Sequence, residues 1–211
     1  VEQADGSYRE VDTASDGTTE VFTSDANSFS DKFTDVDGSY TNTWNNTDGS
    51  SGVDTGDASG TQFTSSWTHA DGSTGTDDAD TATGETSGSR VYADGTSGTY
   101  DELTLADGAH EEKLSYVDID GNTTSYDTVT QADGSYVKIV AASDGSFKNE
   151  TFDAAAGEDS GTGRQPDADY AVAWDNKTLA NGSSDAAQTL TYDDGSTYST
   201  DKVTQVDGSS V

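Results

Sequence analysis

Between the turn signals Asp120-Gly121 and Asp133-Gly134 the chain reads Asn122-Thr123-Thr124-Ser125-Tyr126-Asp127-Thr128-Val129-Thr130-Gln131-Ala132. Thr, Tyr and Val are residues that suit a pleated, half-buried surface, and Asp-Gly bounds them on each side. Asp-Gly between such runs signals a β-hairpin, and a two-residue type I′ turn, with positive φ at both central residues, is the form expected. The reading is one strand between two turns.

The same punctuation runs along the chain. Twelve of the 23 glycines follow an aspartate, and unbroken neighbours lie 11 to 13 residues apart. Where the series skips, Asp25-Ala26-Asn27, Ser59-Gly60, Thr83-Gly84 and Asn181-Gly182 stand near the missing places. The fold class expected is therefore all-β: tandem antiparallel hairpin repeats with strands of about 8 to 10 residues, one array over 1–211. Residues 157–187 break the rhythm around the only proline, Pro166, and read as an irregular loop or junction.

Apolar residues do not keep one parity. Tyr40 and Trp44 share a face, as do Tyr136 and Val140, yet Val36, Ile119, Ala132 and Val206 fall on the other face if the turns have two residues. Either both faces carry apolar groups, as in a meander, or each strand bends, as in a β-solenoid; the pattern leaves both open.

Longer similarity points to duplication. Residues 1–18 match residues 129–146 at 11 of 18 positions, and 203–211 match 129–137 at 7 of 9. The two ends are versions of one unit, so the chain is expected to be a window onto a longer array or a subunit joined end to end. Val1 carries neither an initiator methionine nor a leader pattern, which fits a processed chain or such a window.

Composition sets the setting. The net charge is −32, only 29% of the residues are apolar, and the acids are 32 Asp and 9 Glu against 6 Lys and 3 Arg. So acidic a surface repels nucleic acid and anionic lipid and attracts cations. No run of about 18 apolar residues is present for membrane insertion. Cysteine and methionine are absent, which removes thiol chemistry and suits an external, saline milieu.

Candidate chemistry is sparse. His69 and His110 stand in different repeats, and no phosphate loop, dinucleotide fingerprint or serine elbow is present, so no enzyme is expected. Asp35 with Asp37 and Asp118 with Asp120 pair carboxylates at turns and are the candidate calcium ligands, set against a plain turn-forming role for aspartate. Asn45, Asn122, Asn149, Asn176 and Asn181 open Asn-x-Ser/Thr sequons and are candidate glycosylation sites. Tyr8, Tyr40, Tyr136 and Phe147 follow their glycines by two, a spacing for cross-strand packing or a sugar-binding stripe.

By these acidic, Thr-rich strand repeats with Asp-Gly-Ser turns, the chain resembles repeat regions of large prokaryotic surface adhesins and extracellular matrix fibre proteins. It departs from calcium-roll adhesins in lacking glycine doublets and from curli-type repeats in lacking a Gln/Asn ladder, so no binding residue carries over. The resemblance implies a structural component of a cell-surface or biofilm-matrix fibre, or an adhesin stalk, with copies of itself, glycans or a cell surface as partners. The second reading is a carbohydrate-binding or carbohydrate-active β module, with Trp44, Trp67 and Trp174 as its first candidates.

Overall fold

The computed structural model describes all residues except Val1, Gln3, Asp5 and Val211. Asp5, of the first Asp-Gly pair, and the two end residues thus lie outside the described residues. The chain divides into two compact units, residues 1–103 and 104–211.

The first unit carries β1 (Tyr8–Thr13), β2 (Thr19–Ser24), β3 (Ser28–Thr34), β4 (Tyr40–Asn46), β5 (Ser51–Gly56), β6 (Gln62–Thr68), β7 (Thr74–Asp80), β8 (Glu85–Val91) and β9 (Ser97–Thr104). Each pairs antiparallel with the next in sequence order. The second unit carries β10 (His110–Val117), β11 (Thr123–Thr130), β12 (Tyr136–Ala142), β13 (Phe147–Asp153), β14 (Glu158–Arg164), β15 (Tyr170–Thr178), β16 (Ser184–Tyr192) and β17 (Thr197–Thr204), paired in the same way. Each unit is an open meander of sequential hairpins, with no coil of a solenoid. Residues 157–187, read from sequence as a loop or junction, hold β14, β15 and the start of β16, with connections at 165–169 and 179–183.

The turns differ from the expected type I′. At the first described one, Thr13 pairs with Thr19, Ala14 N–H donates to the Thr18 carbonyl and Gly17 N–H donates to the Ala14 carbonyl. The loop is therefore three residues, Ser15-Asp16-Gly17, a type I turn closed by a glycine at φ 97°. Twelve turns show this hydrogen-bond pair, eleven with Asp-Gly and one with Asn181-Gly182. Among the described residues Asp167 is the only non-glycine at positive φ, which rules out type I′ at all of them. The extra loop residue resolves the parity conflict: Val36, Ile119, Ala132 and Val206 are first loop residues, outside the strands. It also shortens the strands to between six and nine residues.

Apolar residues do occupy both faces. In the first unit Tyr40, Trp44, Phe63 and Trp67 share one face, while Tyr8, Phe22 and Phe29 stack on the other with ring centroids 6.3 Å apart. Neither face acquires a second layer of secondary structure, so no apolar core forms. The chain exposes 12840 Å², against about 9,300 Å² expected for a globular monomer of its mass.

What is buried follows one rule. Apart from glycines, the buried residues are Ser50, Ser73, Thr96, Ala109 and Ser183, and each immediately follows a turn glycine. The loops of successive hairpins on one edge also bond to each other: Thr47 N–H to Asn27 O, Ser143 N–H to Thr123 O and Asp193 N–H to Asp169 O, at 2.8 to 2.9 Å. A small residue after these glycines lets the turns close ranks, and at Ser50, Ser73 and Thr96 the hydroxyl is hydrogen-bonded to the turn aspartate.

Candidate functional site

The turn carboxylates are engaged in building the loops. The Asp37 carboxylate accepts Ser39 N–H at 2.9 Å and Ser39 Oγ at 2.7 Å; Asp48, Asp71, Asp94 and Asp207 repeat the arrangement with the Ser or Thr after their glycines. Asp35 accepts Val36 N–H at 2.7 Å. Asp118 accepts the N–H groups of Asp120 and Asn122 and the Asn122 side-chain amide. Asp-Gly-Ser is thus a functional triplet: a carboxylate that orders the loop, a glycine in the left-handed region, and a hydroxyl buried between turns. Among the described residues no three or more His, Asp or Glu side chains assemble into a metal-holding group.

These bonds hold the carboxyls below the usual aspartate range. The Ser39 hydroxyl lowers Asp37, the Asn122 amide lowers Asp118, and the Ser59 hydroxyl with the Gln62 and Thr61 amides takes Asp57 to about 2. A carboxylate with a depressed folded pKa stabilises the fold above its unfolded value, about 3.9, and stops doing so as pH falls through the folded one. We therefore expect the melting temperature in molar salt, where long-range repulsion is screened, to fall between about pH 5 and about pH 2. A flat or rising profile in thermal melts followed by circular dichroism would contradict that role for the turn aspartates.

A second feature recurs in both units. Trp67 lies over Gly75, its register partner on β7, and its indole N–H reaches Asp77 two residues on, at 3.2 Å. Trp174 lies over Gly161, its partner on β14, and its indole N–H reaches Asp159, again two residues away and at 3.2 Å. Trp44 covers Gly52 in the same manner. Asp77 also accepts Tyr100 Oη at 2.7 Å and faces Arg90 at 3.5 Å. Burial raises Asp77, but Tyr100, Trp67 and Arg90 outweigh it and leave the carboxyl low, while burial and the Asp77 charge push the Tyr100 phenol up to about 12. These tryptophans serve as lids over bare backbone. The sequence carried the signal in its non-turn glycines, since glycine inside a strand marks close approach by another group.

The remaining candidates scatter. Asn122, Asn149 and Asn181 are exposed, whereas Asn45 and Asn176 are half-buried, Asn176 donating to Asp159 at 3.0 Å. Asn181 takes the aspartate's place in its turn, accepting Ser183 N–H. His69 packs its ring 4.4 Å from that of Trp67 in the first unit, and His110 lies near Thr104 in the second. Tyr8, Tyr136 and Phe147 make cross-strand contacts or pairs, with Tyr136 and Phe152 rings 5.5 Å apart.

The first strand of the first unit, β1, and the last strand of the second, β17, each have one fully paired side. β1 pairs with β2 on one side and meets only the isolated Glu2↔Tyr8 bridge on the other, among the described residues. β17 pairs with β16, and among the described residues its other side meets the Thr204↔Ser210 bridge. No protein-family model and no curated protein matches the chain.

Proposed function

We propose that the chain is a structural β-repeat of an extracellular or cell-surface fibre or adhesin stalk, extended by strand addition. The observation behind this reading is that each unit adds one hairpin after another with both faces left to solvent, so that growth along the sheet never needs a core to be completed. Stability then comes from nearest neighbours: strand ladders, interlocked turns and aromatic lids. The absence of thiols and methionine and the acidic surface suit an oxidising, salty exterior, where cations, calcium among them, neutralise the carboxylates.

Electron microscopy of concentrated protein in molar salt tests the reading. Filaments are expected, with the 4.7–4.8 Å strand spacing (about this value in any sheet) along their axis in fibre diffraction. Single particles at every concentration and salt would overturn it. Specific binding on a glycan array that is abolished at Trp44, Trp67 or Trp174 would instead establish the carbohydrate-binding module.

A further inference from the structure

We propose that a second copy of this chain packs on one face of the second unit, aromatic face to aromatic face, to make a two-layered sheet sandwich. The contact is lateral, so it goes beyond the reading above and holds with or without filaments.

The register sorts the side chains. Strand alternation and unbroken pairing from β10 to β17 put Leu114, Tyr126, Val140, Val172, Leu190 and Tyr198 in one row across the sheet. Of the nine aromatic residues in these strands, all but Phe147 share the face of that row. The first unit divides its aromatic residues between two faces, so this concentration belongs to the second alone.

Charge is sorted with the rings. On the aromatic face the strands carry Glu112, Glu150 and Asp159 against Lys138, Lys148 and Lys202, a net of zero. The opposite face carries seven acids against Lys113, Arg164 and Lys177, a net of −4. In a chain of net charge −32, contact between like copies is least opposed where the local charge is zero. Lys148 and Glu150 pair at 2.6 Å, and Glu150 also accepts the Tyr136 hydroxyl at 3.0 Å, so covering this pair leaves neither charge bare.

The area is sufficient. Eight strands, about 4.8 Å apart and about 24 Å long, give the face about 900 Å². A standard specific interface uses roughly 800 Å² per partner. Tyr116 and Tyr126 remain 42% and 36% exposed. A sheet with one apolar face is stable when another layer covers that face, and a patch this large marks an association site. A two-fold axis uses the same patch on both copies and can bring the lysines of each to the carboxylates of the other. The sheets then lie about 10 Å apart, with the acidic faces turned to solvent.

Sedimentation equilibrium of the chain tests this. A monomer–dimer equilibrium is expected, about tenfold tighter in 1 M than in 0.1 M salt as the turn aspartates on the rims are screened. Tyr126→Lys should weaken the dimer about tenfold or more, and Tyr116→Lys should repeat the loss. Ile139→Lys, 45% exposed on the opposite face, should leave the dimer constant within about twofold. Circular dichroism checks that all three variants fold. Equal losses on both faces would overturn the choice of face, and a monomer at every concentration and salt would overturn the dimer. A glycan bound by a monomeric chain and lost in Tyr126→Lys would give the face to sugar and also defeat the proposal. Dimers without filaments would uphold this contact and defeat the fibre reading; filaments with no dimer step, unchanged in Tyr126→Lys, would do the reverse.

Discussion

Gly161→Ala is expected to destabilise the second unit by about 3 kcal/mol, the upper end of what one added methyl does in a packed site. A Cβ on Gly161 would lie closer than 3.0 Å to the Asn149 carbonyl oxygen and to the Trp174 indole. The first obstacle is backbone of β13 and the second is an indole held by Asp159, so neither yields without opening the sheet. Gly145→Ala is the matched control: its Cβ meets nothing within 4 Å, and the substitution carries only the left-handed strain of φ 83°, about 1–2 kcal/mol. Urea midpoints with tryptophan fluorescence measure both. Equal or reversed losses would show that the indole is not packed on the strand as described.

Salt should have the other large effect. A net charge of −32 on a chain without an apolar core leaves repulsion poorly opposed. The strain is visible on β16 and β17, where a hydrogen bond with Asp201 and the burial of Asp185 raise the Asp185 carboxyl. The screening length falls from about 10 Å at 0.1 M to about 3 Å at 1 M, shorter than most carboxylate separations. The melting temperature is expected to climb by about 10 °C or more across that range, equivalent to roughly 3 kcal/mol for a chain of this length. At matched ionic strength calcium and magnesium are expected to give the same curve. A selective rise at submillimolar calcium would place a dedicated site at the paired turns Asp35/Asp37 or Asp118/Asp120 and refute screening as the whole cause.

The all-β array of hairpins was legible because Asp-Gly punctuates it and Thr, Tyr and Val fill the intervals; the choice of meander over solenoid was not. Turn type was not, since Asp-Gly suits both a two-residue type I′ loop and the glycine-closed three-residue loop. What the turns share here is the aspartate holding the amide of the residue after the glycine, as Asp71 does with Ser73 and Asp107 with Ala109. Once Val36 and Val206 are placed in loops, their exposures of 63% and 72% need no buried face to explain them. The 157–187 stretch misled because Gly161 and Gly163 resemble loop residues; they are strand positions lying beneath Trp174. Of the candidate site, the paired aspartates were visible as a pattern, but their occupation by loop amides is a matter of geometry that one sequence does not disclose.

The burial rule at the turns bears on how this protein responds to temperature. Unfolding a globular domain raises the heat capacity by about 12–15 cal/mol/K per residue, because apolar surface becomes hydrated. Here the buried residues are four hydroxyl side chains, one alanine and several glycines, so little apolar surface remains to be exposed. Its heat-capacity increment is expected to be smaller than that of a globular domain of this length and its stability curve flatter, which differential scanning calorimetry checks. A chain held by turns and ladders is then expected to keep a nearly constant stability over tens of degrees.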